Sequence, residues 1–112
     1  MSKRRPLVVP KPRLDIVPLR ALKGVARVLT FGLSKRGHAA YVDDSRGPED
    51  FIGKCQRHLA ALQTLGGEFT PDTLSTPDAE SGLPELDHAI SNLLMLRAKL
   101  IEAGVLPEDP GE

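Results

Sequence analysis

The 112-residue chain is poor in aromatic residues and in cysteine. It has no tryptophan, one tyrosine, three phenylalanines and the single cysteine Cys55. A core with so few aromatic rings must be built from leucine, valine, isoleucine and alanine, which favours helix packing over a sandwich or barrel. One cysteine excludes an internal disulfide, and its apolar position in a helical pattern predicts a buried thiol in a reducing environment.

The sequence also lacks a long apolar run and a net charge. No run could cross a bilayer, and the Met1–Arg5 start has no apolar segment of a signal peptide, so we expect a soluble intracellular protein without membrane contact. Residues 1–36 hold ten basic residues and one acid, a net of +9, whereas residues 37–112 hold five basic and fourteen acidic residues, a net of −9. Such asymmetry indicates nucleic-acid contact, a phosphate pocket, or complementary packing of the two halves.

Apolar periodicity predicts a small all-α bundle of three main helices. Proline opens the first helix at Pro18, and Gly32 ends it near Phe31. The second helix is predicted over 49–65, and the third over 83–103, packed antiparallel to the second. This size leaves room for only a modest core, so we expect dimerisation to complete the bundle.

The remaining segments are predicted to be irregular. Residues 1–14 form a basic, proline-rich arm, residues 15–104 the helical domain, and residues 105–112 an acidic tail. Residues 66–77 are rich in turn-forming residues and predict a surface loop, either an ordinary insertion or a lid over a site.

The third helix has two distinct faces. At about 100° per residue, an apolar arc forms that is wider than one partner helix needs, which predicts a homodimer. The arc contains Leu86, Ala89, Ile90, Leu93, Leu94, Leu96, Leu100 and Ile101. A polar stripe of Glu85, His88, Asn92 and Lys99 is predicted to face away from the core, as a site or as an ordinary solvated face.

The other candidate residues lie on the first two helices. His58 falls at the edge of the second helix's apolar face, so it is either a core-edge histidine bonded to a carboxylate or carbonyl, or a site residue. Arg57 points further outward and could hold a phosphate or an acid such as Glu80. The first helix carries a basic stripe that is either solvated or in contact with a neighbouring subunit; it comprises Arg20, Lys23 and Arg27.

Several motifs together resemble one protein family. They are Arg57-His58-Leu59, Asp78-x-Glu80-Ser81-Gly82-Leu83-Pro84 and His88-Ala89-x-x-Asn92, with Asp15-Ile16-Val17-Pro18 and Phe31-Gly32-x-x-Lys35 upstream. Over roughly residues 13–101 the chain resembles the phage-encoded dATP/dGTP diphosphohydrolase N-terminal domain family. Such proteins are small, helical and associated with MazG-like nucleotide pyrophosphohydrolases. The chain has Glu85 where the family often has histidine, and it lacks the paired Glu-x-x-Glu motifs of MazG-type enzymes.

The resemblance implies metal-dependent hydrolysis of (deoxy)purine nucleoside triphosphates to monophosphate and pyrophosphate. This activity would serve phage nucleotide-pool metabolism in the host cytoplasm. Such hydrolysis needs a divalent ion, carboxylates to hold it, and cations on the outer phosphates. The predicted site therefore comprises metal ligands Asp78, Glu80 and Glu85 for Mg²⁺ or Mn²⁺, catalytic residues His58, His88 and Glu80, and substrate contacts Lys35, Arg57 and Asn92. The alternative function is a non-catalytic phage accessory module that binds nucleic acid or a protein through residues 1–36.

Overall fold

The computed structural model describes residues 11–36 and 47–108. A single 3₁₀ turn precedes three long helices and one short helix. The helices are α1 (Leu19–Arg36), α2 (Pro48–Ala60), α3 (Pro71–Leu74) and α4 (Glu85–Glu102), and the turn is Leu14–Ile16. These ranges contain no strand, so the predicted all-α class with three main helices is confirmed. No helix within them is both long enough and apolar enough to span a membrane.

Helix α4 is central, because both α1 and α2 pack against it. His58, near the end of α2, contacts Glu85 at the start of α4. Phe51, near the start of α2, lies 5.6 Å from the ammonium group of Lys99, near the end of α4. Helices α2 and α4 are therefore antiparallel, as predicted.

The buried core is small. Its apolar members are Val25, Val28, Phe51, Cys55, Leu62 and Ala89. Cys55 is buried as predicted, and burial raises the pKa of its thiol, so the thiol remains protonated at neutral pH. Ser91 is also fully buried. Its hydroxyl donates to the Asp87 carbonyl oxygen at 2.7 Å, so this buried polar group has a hydrogen-bond partner.

The predicted orientation of the third helix is wrong. Four apolar residues of the arc are 41–49% exposed, namely Leu86, Ile90, Leu93 and Leu94. Glu85 and Asn92, predicted to face away from the core, are only 8% and 6% exposed. These polar side chains of the third helix can be buried because they have hydrogen-bond partners. Glu85 bonds His58, and the Asn92 amide donates to the His88 carbonyl oxygen at 2.9 Å.

Two helix ends also differ from the prediction. Helix α1 continues through Gly32 to Arg36, and the Ser34 hydroxyl donates to the Phe31 carbonyl oxygen in this last turn. Glycine lowers helix propensity without forbidding helix, so one glycine does not end α1. Helix α2 instead ends at Ala60, before residue 65, because the Thr64 amide donates to the Glu68 carbonyl oxygen and turns the chain.

The predicted 66–77 loop contains α3, whose first turn is capped by the Thr70 hydroxyl accepting from the Thr73 amide at 3.1 Å. Helix α4 begins at Glu85, after Pro84, two residues later than predicted. Its end before Gly104 is as predicted, and this glycine has a φ of +75°. Most of the predicted arm and the last residues of the tail lie outside the described ranges.

Gly24 allows α1 to approach α4 closely. A Cβ atom added at this position would lie 2.3 Å from the Asp87 Oδ2 atom and 2.7 Å from its Cγ atom. These atoms are the end of a side chain that can change rotamer, so we expect Gly24→Ala to raise the free energy of unfolding by clearly less than the about 0.5–1 kcal/mol that alanine brings to a helix interior. Urea denaturation followed by circular dichroism measures this change.

Gly53→Ala is the matched control, because Gly53 lies inside α2 and an added Cβ atom there meets nothing within 4 Å. This substitution should raise the free energy of unfolding by about 0.5–1 kcal/mol. Equal stabilisation by the two substitutions would contradict the close approach of the Asp87 carboxylate to α1.

Candidate metal centre

The turn that leads into α4 fixes an aspartate. The Asp78 amide donates to the Leu83 carbonyl oxygen at 2.7 Å, and the Glu85 amide donates to the Thr76 carbonyl oxygen at 2.9 Å. Gly82 has a φ of +73°, which a glycine adopts without strain. The Asp78 Oδ2 atom accepts from the amide of Ser81 at 2.9 Å, so its carboxylate is held at the top of the turn.

Three side chains converge where this turn meets α2. The His58 Nδ1 atom lies 3.0 Å from the Glu85 Oε1 atom. One ligand atom from each of His58, Asp78 and Glu85 lies within 4.8 Å of the other two. Glu85 is buried, whereas His58 and Asp78 are partly buried, so the cluster combines restricted solvent access with two acidic groups.

His88 lies directly beside this cluster. Its ring stacks on that of His58, with the ring centroids 4.9 Å apart and the planes 20° from parallel. The Nε2 atom is 2.7 Å from the Ser81 hydroxyl and 3.8 Å from the Asp78 Oδ2 atom. Burial lowers the pKa of His88, although the charge of Asp78 opposes this shift, so the imidazole is predominantly neutral at pH 7. A neutral imidazole can accept a proton.

Asp78 differs from His88 because its surroundings favour the charged form of its side chain. Burial alone would raise the pKa of its carboxyl group, but hydrogen bonds from the Ser81 backbone and side chain, together with the positive charge that His88 carries when protonated, outweigh burial. The pKa of Asp78 therefore lies below its usual value. At neutral pH this group is a carboxylate, the form that binds a cation.

The structure brings together four of the predicted site residues: His58, Asp78, Glu85 and His88. Sequence reasoning assigned His58 to acid–base chemistry and missed its place among the potential metal ligands. In the sequence, His58 lies at the edge of the apolar face of its helix, a position from which it can bond a carboxylate. Glu85 supplies that carboxylate.

The other predicted site residues lie elsewhere. The exposed Glu80 carboxylate forms an ion pair with Lys35 of α1 and does not belong to the three-residue cluster. Arg57 is exposed. Asn92 is buried, and its amide group bonds the backbone of its own helix. The assigned roles of these four residues remain predictions.

The fold and the cluster define a small all-α protein with a candidate divalent-metal centre of one histidine and two acids. The model of the family described as dATP/dGTP diphosphohydrolase, N-terminal, matches residues 5–106. The chain therefore belongs to this family, which confirms the resemblance noted in the sequence. No curated protein and no solved structure matches the chain significantly.

The shifted groups predict how stability depends on pH in metal-free buffer. At a pH between the usual histidine pKa of 6.5 and the lower pKa of His88 in the folded protein, His88 is protonated in the unfolded chain but not in the folded one. Its contribution to stability is therefore complete above pH 6.5 and is lost as the pH falls below that value. The contribution of Asp78 to stability is also lost as the pH falls, but only below the usual aspartate pKa of 3.8.

We therefore expect the melting temperature to fall as the pH is lowered from 7 to 5. In His88→Gln this fall should be smaller, because glutamine does not titrate. Thermal melts at half-unit pH intervals in the presence of a chelator measure both profiles. Parallel profiles for the two proteins would show that His88 is not the group responsible.

Proposed function

We propose that the protein hydrolyses (deoxy)purine nucleoside triphosphates to monophosphate and pyrophosphate with the aid of a divalent cation. The observation that carries this proposal is the convergence of His58, Asp78 and Glu85 beside the neutral His88. Membership of a family described as dATP/dGTP diphosphohydrolase supports the substrate class. The proposed setting is phage nucleotide-pool metabolism in the host cytoplasm.

The donor set fits a divalent ion. His58, Asp78 and Glu85 would hold the ion, because one potential ligand atom of each lies within 4.8 Å of the other two. Mg²⁺ prefers oxygen ligands, whereas Mn²⁺ accepts both carboxylate and imidazole, so this mixed set suits Mn²⁺ at least as well as Mg²⁺. Such an ion, when bound, supplies charge neutralisation at the phosphoryl oxygens.

The residues of the cluster and their neighbours have separate roles in the proposed hydrolysis. Asp78 and Glu85 provide the negative charge that holds the cation, and the His58 ring orients His88 by stacking. The neutral His88 accepts the Ser81 hydroxyl proton at its Nε2 atom, 2.7 Å away, while the Ser81 oxygen takes a proton from the attacking water. The water oxygen bonds to the α-phosphorus as the bond to the bridging oxygen breaks, and pyrophosphate leaves.

A substrate screen tests the proposal. Purine and pyrimidine ribo- and deoxyribonucleoside triphosphates are incubated with Mg²⁺, with Mn²⁺ or with chelator, and pyrophosphate release is measured. We expect hydrolysis of the purine deoxynucleotides that stops with chelator. Absence of hydrolysis for every substrate with both ions would overturn the enzyme proposal.

A second candidate function is a non-catalytic module that binds nucleic acid. The basic stripe of Arg20, Lys23 and Arg27 is exposed on α1, which supports this alternative. Affinity for duplex DNA should then fall steeply with salt and be lost on deletion of residues 1–13. DNA affinity that is unchanged by this deletion would reject a role of the basic arm.

We also propose that a second copy of the chain covers the exposed face of α4, formed by Leu86, Ile90, Leu93 and Leu94. These residues lie on one side of the helix, and homodimers commonly bury such faces. Leu93→Glu should convert a dimer into a monomer in sedimentation at micromolar concentration. Leu74→Glu on α3, which is similarly exposed, is the matched control and should remain a dimer. A monomeric wild-type protein would contradict the proposal.

A further inference from the structure

An open groove of about 430 Å³ lies between α1 and the turn that carries Asp78. Lys23, Ala26, Arg27 and Thr30 line it from α1, and Leu83 lines it from the turn. Lys23 and Arg27 are four residues apart, so their side chains project from the same face of the helix, one turn apart. Ala26 lies between them and is too small to fill the space.

Two of the five residues that line the groove are basic, and none is acidic. The sequence of α1 contains five basic residues and no acid. Across the described residues, Lys23 and Arg27 form no ion pair, in contrast to Lys35, which pairs with Glu80. The packed helix places one carboxylate, that of Asp87, against the backbone at Gly24. Two adjacent cations beside an open space form a site for an anion.

The groove is connected to the candidate metal centre through one residue. The Leu83 amide donates to the Ser81 hydroxyl, which bonds His88, and the Leu83 carbonyl oxygen accepts from the Asp78 amide. One turn therefore supplies both a wall of the groove and a ligand of the cluster. An anion in the groove therefore lies against the turn that carries Asp78.

We infer that Lys23 and Arg27 bind the outer phosphates of a nucleoside triphosphate. Arginine suits phosphate because its planar group donates two parallel hydrogen bonds, and lysine adds a compact charge. The assignment of this polyphosphate to a substrate rests on the proposed function, whereas the anion site itself does not. Lys23 and Arg27 of α1 then contact phosphate in addition to the predicted phosphate contacts, Lys35 and Arg57.

Calorimetric titration of the full chain with inorganic tripolyphosphate, without metal, tests the groove. Lys23→Ala with Arg27→Ala should weaken binding at least tenfold, the scale expected for lost charge-assisted hydrogen bonds. Arg20→Ala removes one positive charge from the same helix, half of the charge that the double variant removes, but Arg20 does not line the groove, so this change should alter affinity by less than about twofold. Circular dichroism confirms that each variant is folded.

A loss of binding free energy in Arg20→Ala that reaches half of the loss in the double variant would show a diffuse charge effect and overturn the site, as would wild-type affinity in the double variant. Binding of duplex DNA but not of tripolyphosphate through the same pair would also overturn it. If tripolyphosphate binds through Lys23 and Arg27 but no triphosphate is hydrolysed, the hydrolase proposal fails and the anion site stands. In an active enzyme, the double variant should raise KM more than it lowers kcat.

Discussion

Glu85→Gln should abolish tight metal binding and lower triphosphate hydrolysis at least a hundredfold. The substitution keeps the shape of the side chain but removes the negative charge that the buried carboxylate brings to the cluster. The amide oxygen can still accept a hydrogen bond from His58, so we expect the helical circular-dichroism signal to be retained. Calorimetric titration with Mn²⁺ and steady-state kinetics measure the two losses, the second of which is on the scale of removing a group essential to catalysis.

Two further glutamates make this test specific. Glu68→Gln, in the exposed loop after α2, should leave metal affinity and activity unchanged. Glu80→Gln decides between two ligand sets, because the sequence predicts Glu80 as a ligand whereas the structure pairs its carboxylate with Lys35. If Glu80→Gln loses metal binding and Glu85→Gln retains it, the cluster of His58, Asp78 and Glu85 is not the metal centre.

Phe51→Ala should have the largest effect on stability, lowering the free energy of unfolding by about 3–5 kcal/mol. Phe51 is completely buried and contacts the end of α4 through Lys99, so its removal leaves a cavity between the two helices that form the cluster. In so small a core, few neighbouring side chains can move to fill this space. Urea denaturation gives the change in unfolding free energy.

Phe69→Ala removes the same atoms from a ring that is 58% exposed, and it should cost less than about 1 kcal/mol. The comparison separates burial from the chemistry of the substitution. Similar losses for the two variants would contradict the position of Phe51 in the core.

The sequence predicted the helical class, the three long helices and the antiparallel pairing of α2 with α4. These features depend on proline and glycine positions and on apolar spacing, which act locally. The ends of α1 and α2 could not be predicted in the same way. Gly32 stays helical within a last turn that Lys35 links to Glu80, 45 residues away in the chain, and this contact is invisible in the local pattern.

The orientation of α4 was not predictable from periodicity, since periodicity finds the apolar face but not the face that meets α2. Glu85 can be buried because His58 is there to bond it, and that pairing requires knowledge of the neighbouring helix. The motifs around Asp78 and His88 did identify the region of the cluster. The place of His58 in it, and the basic groove beside it, required the positions of α1 and α2.

Pro77 and Pro84 pair across the base of the turn that holds Asp78. A proline ring restricts φ in the unfolded chain as well as in the folded one, so this segment loses less conformational entropy when it folds than a proline-free loop would. A ligand group on such a preorganised loop does not need the binding free energy of its ion to become ordered. The turn should therefore remain folded in the presence of a chelator, with Asp78 already in position for a cation.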